Sequence, residues 1–265
     1  MPQLYLVPLN PPAVTVAACA ALLSGTEKAA RDRFLRRGLG RRYAVAHGAL
    51  RLLLGLNGAG AAAELIFGAE AQGKPFLQSR GTRGRDAPHF NLSHSEDLGC
   101  IALSRDAPVG VDVELARPSR DCAGILRRIL DGRREYDCVH DCVAAGGISL
   151  HEAMLRCWTF KEAIVKAAGY GLAADPRNAR LEPDALESLL LGPENGPAAA
   201  RWTRAGLAAG RHPAWEGAVF AFPVSGGRGA VAVSGPPPPL PPRIRTAGAD
   251  RLLRLGKWRE AAQPR

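Results

Sequence analysis

A mixture of helices and short strands is what this 265-residue sequence predicts, and three stretches predict it. Residues 90–103 hold two short runs of strand character, Val109 to Glu114 alternates strictly, and Ala153 to Ala168 repeats at helical steps.

Ala13 to Leu23 is a mostly apolar run, and the first basic residue, Lys28, comes only after it, so an export leader is not expected. Ser24-Gly25-Thr26-Glu27 then fits a helix capping box, in which serine and glutamate satisfy each other's backbone N–H groups. Lys28, Arg31, Arg33, Arg36, Arg37, Arg41 and Arg42 crowd the stretch before the apolar Ala49–Leu54. A solvated helix face accounts for such a cluster; so does a phosphate site, because the guanidinium fork bonds two oxygens at once.

Phe90 and Leu92 alternate with Asn91 and Ser93, a short strand expected to deliver Ser93 and His94 into a turn. Leu98–Leu103 is a second strand, and Arg105-Asp106-Ala107-Pro108 turns the chain into a third. Ser93-His94-Ser95 reads as turn chemistry, since adjacent Ser and His make a poor nucleophile–base pair and no Gly-x-Ser-x-Gly elbow occurs. In the third strand Val109, Val111 and Val113 alternate with Gly110, Asp112 and Glu114. Asp112 and Glu114 therefore share a face, their Cα atoms about 6 to 7 Å apart at about 3.3 Å per residue. Either that face meets solvent, or a cation such as Mg²⁺ offsets the repulsion between the two carboxylates. Gly110 favours the second, because strand glycines mark close approach of a ligand or another backbone.

Ala153, Cys157, Phe160, Ile164 and Ala167 form one apolar helical stripe. On the opposite side Glu162 and Lys166 are neighbours, four residues apart, and Gly169 and Gly171 supply left-handed positions that end the helix. An isolated Glu-x-x-x-Lys is an ordinary surface ion pair; the upstream carboxylates give this one a second reading.

With 46% hydrophobic and 23% charged residues the chain is globular rather than disordered, and 265 residues suffice for one large domain or two small ones. A net charge of +10 points to acidic partners: nucleic acid, an anionic membrane, or a phosphate-rich cofactor with an acidic protein substrate. The six cysteines are expected as free thiols, and Cys138-Val139-His140-Asp141-Cys142 with His151 matches no standard zinc spacing. Beyond Ser225-Gly226-Gly227 and the prolines at 236–239, Arg243 to Arg265 reads as a basic appendage on a stiff linker, dispensable for chemistry.

Four elements, in order, resemble one family. They are Gly73-Lys74-Pro75, then Phe90 to Ser95, then Gly110 to Glu114, then Trp158-Thr159-Phe160-Lys161-Glu162-Ala163 through Lys166 to Gly171-Leu172. The sequence looks like a surfactin-type (group II) 4′-phosphopantetheinyl transferase, an enzyme that moves the phosphopantetheine arm of coenzyme A onto a serine of a carrier protein. The resemblance is strong from Gly73 to Leu172 and weaker back to Lys28. It implies an α+β fold, a pseudo-twofold pair of similar halves, each a helix on a small antiparallel sheet, with the site in the cleft. The halves would be residues 1–108 and 109–225, followed by a Pro-rich basic tail, 226–265.

The resemblance also implies roles. Asp112, Glu114 and Glu162 would hold Mg²⁺, with Glu162 and Lys166 catalytic, the first as base and the second beside the leaving phosphate. Lys28, Arg42, Lys74, Ser93, His94, Lys161 and Lys166 would bind coenzyme A, Arg42 being the nearest positional match for the 3′-phosphate, with Arg31 beside it. Lys161 and Trp158 have a further reading as residues that position the helix. The implied partners are coenzyme A and an acidic apo acyl or peptidyl carrier protein, for a cytoplasmic monomer that binds neither nucleic acid nor membrane. Two departures stand out: Ala69-Glu70-Ala71-Gln72 lacks an arginine the family often carries there, and residues 121–151 lack its Phe-rich start. Two other classes remain open. A nucleic-acid-binding protein would match the charge, but aromatics are only 6% and no aromatic–basic signature appears. A Mg²⁺-dependent phosphohydrolase would share the carboxylates but not the full motif set.

Overall fold

The computed structural model describes residues 1–78, 87–117, 121–170, 175–192, 202–207 and 214–262, the side chains of 257–262 excepted. Strand β1 (Gln3–Pro8) is followed by helices α1 (Ala13–Ala21), α2 (Gly25–Asp32) and α3 (Arg37–Leu54). The capping box is real: Ser24 Oγ accepts from the Glu27 N–H, and Glu27 Oε2 accepts from the Ser24 N–H. The basic cluster therefore spans two helices and the break between them. A hairpin of β2 (Ile66–Ala69) and β3 (Pro75–Gln78) comes next, then β4 (His89–Ser95), β5 (Leu98–Ser104) and β6 (Val109–Leu115).

Ser93 and His94 thus lie inside a strand, not in a turn; the chain reverses only at Glu96 and Asp97. The alternation that began at Phe90 simply continues to Ser95, because β5 pairs with every residue of it. Helices α4 (Cys122–Ile129), α5 (Gly132–Ala144) and α6 (Leu150–Ala168) follow, then β7 (Ala179–Arg180), α7 (Pro183–Leu191), β8 (Thr203–Leu207), β9 (Trp215–Val224), β10 (Gly227–Ser234), β11 (Arg243–Thr246) and α8 (Ala249–Ala262).

The fold is α+β, with two principal sheets. The first has the order β11-β1-β5-β4 and the second β6-β10-β9-β8-β7. Strand alternation sorts the side chains. Tyr5, Val7, Ile101 and Leu103 of the first sheet meet α3 residues such as Val45, Ala49 and Leu53. Leu4, Cys100 and Ala102 point the other way, into a cluster shared with Val109, Val111 and Val113 of β6 and Val231 and Val233 of β10. The predicted stripe of α6 is buried throughout and packs on the second sheet, against Val219, Ala230 and Ala232. At Gly110 the helix backbone comes so close that an added Cβ would collide with Ala163 O and Ala167 N. The close approach expected of this glycine is thus by α6.

Two expectations about the C-terminal part fail. A boundary at 225 would cut a hairpin, since β10 pairs with both β9 and β6 in the second sheet. The segment beyond the prolines is no appendage either. β11 adds to β1 in parallel, and Ala247, Ala249 and Leu252 are buried in the core between the first sheet and α3. Prolines 236–239 do interrupt secondary structure, yet they only carry the chain back across the molecule, where small and apolar residues find cover. Among the described residues no helix is long and apolar enough to cross a membrane. Among the described residues no disulfide joins any of the six cysteines.

Candidate active site

The two sheets meet where β4 and β6, their outer strands, run side by side in the same direction. No backbone ladder joins them among the described residues; side chains of β4 do. Asn91 Oδ1 accepts from the Val111 N–H at 2.8 Å, Ser93 Oγ donates to Asp112 Oδ1 at 2.7 Å, and Ser95 Oγ donates to Glu114 Oε2 at 2.8 Å. Every second residue of Phe90–Ser95 thus faces the seam. Asn91 and Ser95 escaped the sequence reading, although their period-two spacing from Ser93 was the signal that could have found them.

Asp112 is 3% exposed, while Glu114 on the same face is half-buried. Asp112 Oδ1 also accepts from Lys166 Nζ at 2.6 Å, while Oδ2 is buried and has no hydrogen-bond partner. Such an orphaned carboxylate oxygen is costly. Helix α6 brings Glu162 and Lys166 to this seam on one face, with Lys166 Nζ 4.0 Å from Glu162 Oε2 and 3.3 Å from Ser93 Oγ. Burial raises the pKa of Glu162, and the charges of Asp112 and Glu114 raise it further against the pull of Lys166. Glu114 is raised too, by burial and then by Asp112, despite the hydrogen bond from Ser95. The structure therefore gathers all three predicted carboxylates around one ammonium. It does not close them into a cage: among the described residues no three His, Cys, Asp or Glu side chains stand ready to hold a metal ion. Lys166 takes the central place.

Comparison with known proteins bears on what such a seam does. Residues 108–219 match the 4′-phosphopantetheinyl transferase superfamily. "4′-phosphopantetheinyl transferase HetI" of Nostoc sp. (strain PCC 7120) is 32% identical over 171 residues, 64% of this chain and 70% of that protein. This chain belongs to the 4′-phosphopantetheinyl transferase superfamily. "Putative 4′-phosphopantetheinyl transferase slr0495" of Synechocystis sp. is 31% identical over 65% of this chain and 66% of its own length. "4′-phosphopantetheinyl transferase AcpT" of Escherichia coli K12 is 36% identical over 40% and 49%. The transferases of this superfamily use coenzyme A and act on carrier proteins, and the chain is one of these enzymes.

Around the seam of this transferase the remaining predicted residues divide. Lys74, in the turn of the β2–β3 hairpin, donates to the carbonyls of Val109 (3.3 Å) and Ala167 (3.1 Å), bridging the start of β6 and the end of α6. Burial lowers its pKa to about 8, against the pull of Glu70. Gly169 ends α6 in the left-handed conformation, φ +87°, as expected; Gly171 and Leu172 lie outside the described residues. The environment of His94 pushes its pKa down, first by excluding water and then through the charges of His47, Lys166 and Arg42. A neutral imidazole, near several cations, results. Arg42 pairs with Glu96 Oε2 at 3.1 Å and with Asp97, so its fork is already held by carboxylates. Lys28 stands exposed on α2, one residue after Glu27, which is buried against Arg51 and His47.

Lys161 does not belong to the cofactor group. It is 1% exposed and points inward, where Nζ meets Glu135 Oε2 at 2.8 Å and donates to the Ala179 carbonyl at 2.6 Å. Glu135 in turn accepts from the backbone N–H groups of Asp131 and Leu181. The pair ties α5 and β7 to α6, which is its positioning reading. The reason is geometric: one residue along a helix is about 100° round it, so Lys161 and Glu162 cannot share a face. Trp158 is half-buried and forms one wall of an apolar cavity of about 460 Å³, with Ile125, Ile129 and Met154, that opens beside Glu114. His140 of the Cys138–Cys142 stretch faces out and, among the described residues, pairs with Asp141.

Proposed function

We propose that the chain is a surfactin-type transferase, acting as a Mg²⁺-dependent monomer in the cytoplasm. It moves the 4′-phosphopantetheine arm of coenzyme A onto a serine of an acidic acyl or peptidyl carrier protein and releases adenosine 3′,5′-bisphosphate. The observation that carries this reading is the buried, unpartnered Asp112 Oδ2 beside Glu114 and Glu162. An all-oxygen donor set of three carboxylates suits a hard cation. Asp112, Glu114 and Glu162 would hold Mg²⁺, which when bound offsets negative charge on the pyrophosphate oxygens.

The chain's own residues do the rest. Glu162, its basicity increased by burial, accepts the proton of the attacking serine hydroxyl. Lys166, one turn further along α6, neutralises the phosphate that leaves as the bond breaks. Ser93 and the neutral His94 offer hydrogen bonds to the phosphates, and Lys74 adds a cation whose partners are two carbonyls, neither of them a carboxylate. Arg42 and Lys28 hold the adenosine end through charge. The open, largely apolar groove walled by Trp158 and Met154 offers the pantetheine arm a surface beside Glu114. The net charge of +10 supports an acidic carrier as partner.

The test mixes the protein with an apo carrier, coenzyme A and Mg²⁺ and reads the carrier's mass. A gain of one phosphopantetheine, absent with a chelator and absent when the acceptor serine is alanine, is expected. Phosphopantetheine set free in solution with an unmodified carrier would refute transfer and favour a phosphohydrolase.

A further inference from the structure

We infer that Glu96 is a positioning residue: its carboxylate clamps Arg42 and Arg117 across the seam and presets the Arg42 guanidinium for the phosphate of the adenosine end. The inference rests on the reading that Arg42 binds that phosphate.

Glu96 and Asp97 form the two-residue turn of the β4–β5 hairpin, closed by the pair Ser95 and Leu98. Such turns favour Gly, Asn or Asp, which accept positive φ at little cost. Here the place is taken by glutamate, the only non-glycine with positive φ among the described residues, at 46°. A side chain held in a costly conformation points to a task for that side chain. The task is visible. Oε2 accepts from Arg42 Nη1 at 3.1 Å, and Oε1 pairs with Arg117 Nη1 at 2.9 Å.

The two arginines come from different halves. Arg42 lies on α3, over the first sheet, and Arg117 follows β6, the outer strand of the second. Arg117 Nη2 also reaches Ser95 Oγ at 3.4 Å, the hydroxyl that donates to Glu114. Glu96 therefore links the cationic end of the site to its carboxylate end through a chain of charge-assisted bonds. The fork of a guanidinium carries five N–H donors, so Arg42 keeps donors for a phosphate while Glu96 and Asp97 fix its direction. The negative charges also keep two like-charged guanidiniums together when no phosphate is bound. A glycine at this position would ease the backbone and forfeit the clamp.

The experiment is a double-mutant cycle with steady-state kinetics on coenzyme A. Glu96→Asn retains the left-handed turn and removes the charge. It should raise KM for coenzyme A about fivefold, within the usual coupling of paired charges, with kcat changed less than about twofold and Tm not lowered. Glu96→Gly should match it, since the backbone is then relaxed in both. In an Arg42→Ala background, Glu96→Asn should add less than about twofold. An unchanged or reduced KM overturns the clamp, a reduced one showing a carboxylate that competes with phosphate. A full, independent effect in the Arg42→Ala background overturns it as well, and a KM effect that differs between Asn and Gly assigns the effect to the backbone instead. If Arg42→Ala alone leaves KM unchanged, the assignment of Arg42 to coenzyme A falls, and the clamp with it.

Discussion

Gly110 is where the packing of the second half and the geometry of the site depend on one missing methyl group. In Gly110→Ala the new Cβ would lie 2.8 Å from the carbonyl carbon of Lys166, and closer still to Ala163 O and Ala167 N. These are backbone atoms of α6, which cannot rotate away as a side chain tip would. Ordinary contact begins at 3.4 Å, so the most distant of the three must retreat about 0.6 Å and the nearer two further. The whole last turn of α6 has to lift off β6. Overpacking of this kind costs typically 1–3 kcal/mol. For a chain of this size, about 2 kcal/mol lowers Tm by roughly 4–8 °C. Activity should suffer more than stability, because Lys166 sits on the displaced turn and its 2.6 Å contact with Asp112 would open. A misplacement of about 1 Å in a catalytic group can cost about 100-fold in rate. Thermal denaturation and carrier mass gain, measured on the same preparation, check both halves of the argument. Gly38→Ala is the control, since a Cβ there meets nothing within 4 Å. A Gly110→Ala protein with wild-type Tm and turnover would refute the view that α6 is held at this distance by the glycine.

Glu27→Gln tests the buried network beneath the basic helix. Burial pulls the Glu27 pKa up, but hydrogen bonds from His47, Arg51 and the Ser24 backbone outweigh it and hold it at about 2 against an ordinary 4.5. A depressed carboxylate contributes stability that is fully present above pH 4.5 and lost as pH falls towards 2. The gap in Tm between wild type and Glu27→Gln should therefore be full at pH 6 and shrink steadily below pH 4.5; a gap constant down to pH 2.5 contradicts the assignment. Deleting residues 236–265 should now lower stability and solubility markedly, since it strips β11 from β1 and uncovers the core around Leu50 and Leu53. A truncated protein with unchanged unfolding would show the tail to be dispensable after all. Arg42→Glu should raise KM for coenzyme A more than it lowers kcat, whereas Lys166→Ala should mainly lower kcat, because charge on the leaving phosphate develops only in the transition state. Equal effects on both constants in both variants would mean that coenzyme A lies elsewhere in the cleft.

What the sequence determined by itself is whatever rests on neighbours up to four residues apart. The capping box at Ser24 and Glu27, the alternation of β6, the apolar stripe of α6 and the pairing of Glu162 with Lys166 are all patterns of short fixed spacing, and all appear in the structure. The shared face of Asp112 and Glu114 was legible for the same reason, whereas Glu162 was joined to them only through the family resemblance. Only the tertiary structure decided what covers each face. Nothing local says that the Asp112 side of β6 lies under α6, or that Ser93 and Ser95, 19 residues earlier, hand their hydroxyls to Asp112 and Glu114. Lys161 and Glu162 are both charged and adjacent, yet one enters the core because Glu135 and the Ala179 carbonyl, from distant segments, are there to receive its ammonium. The tail is the clearest case. Its prolines and arginines read as an exposed appendage, and its place beside β1 depends on an unpaired strand edge and an uncovered apolar face more than 200 residues away in the chain. Burial is a property of what comes to lie alongside, and for contacts this far apart in sequence no periodicity records it.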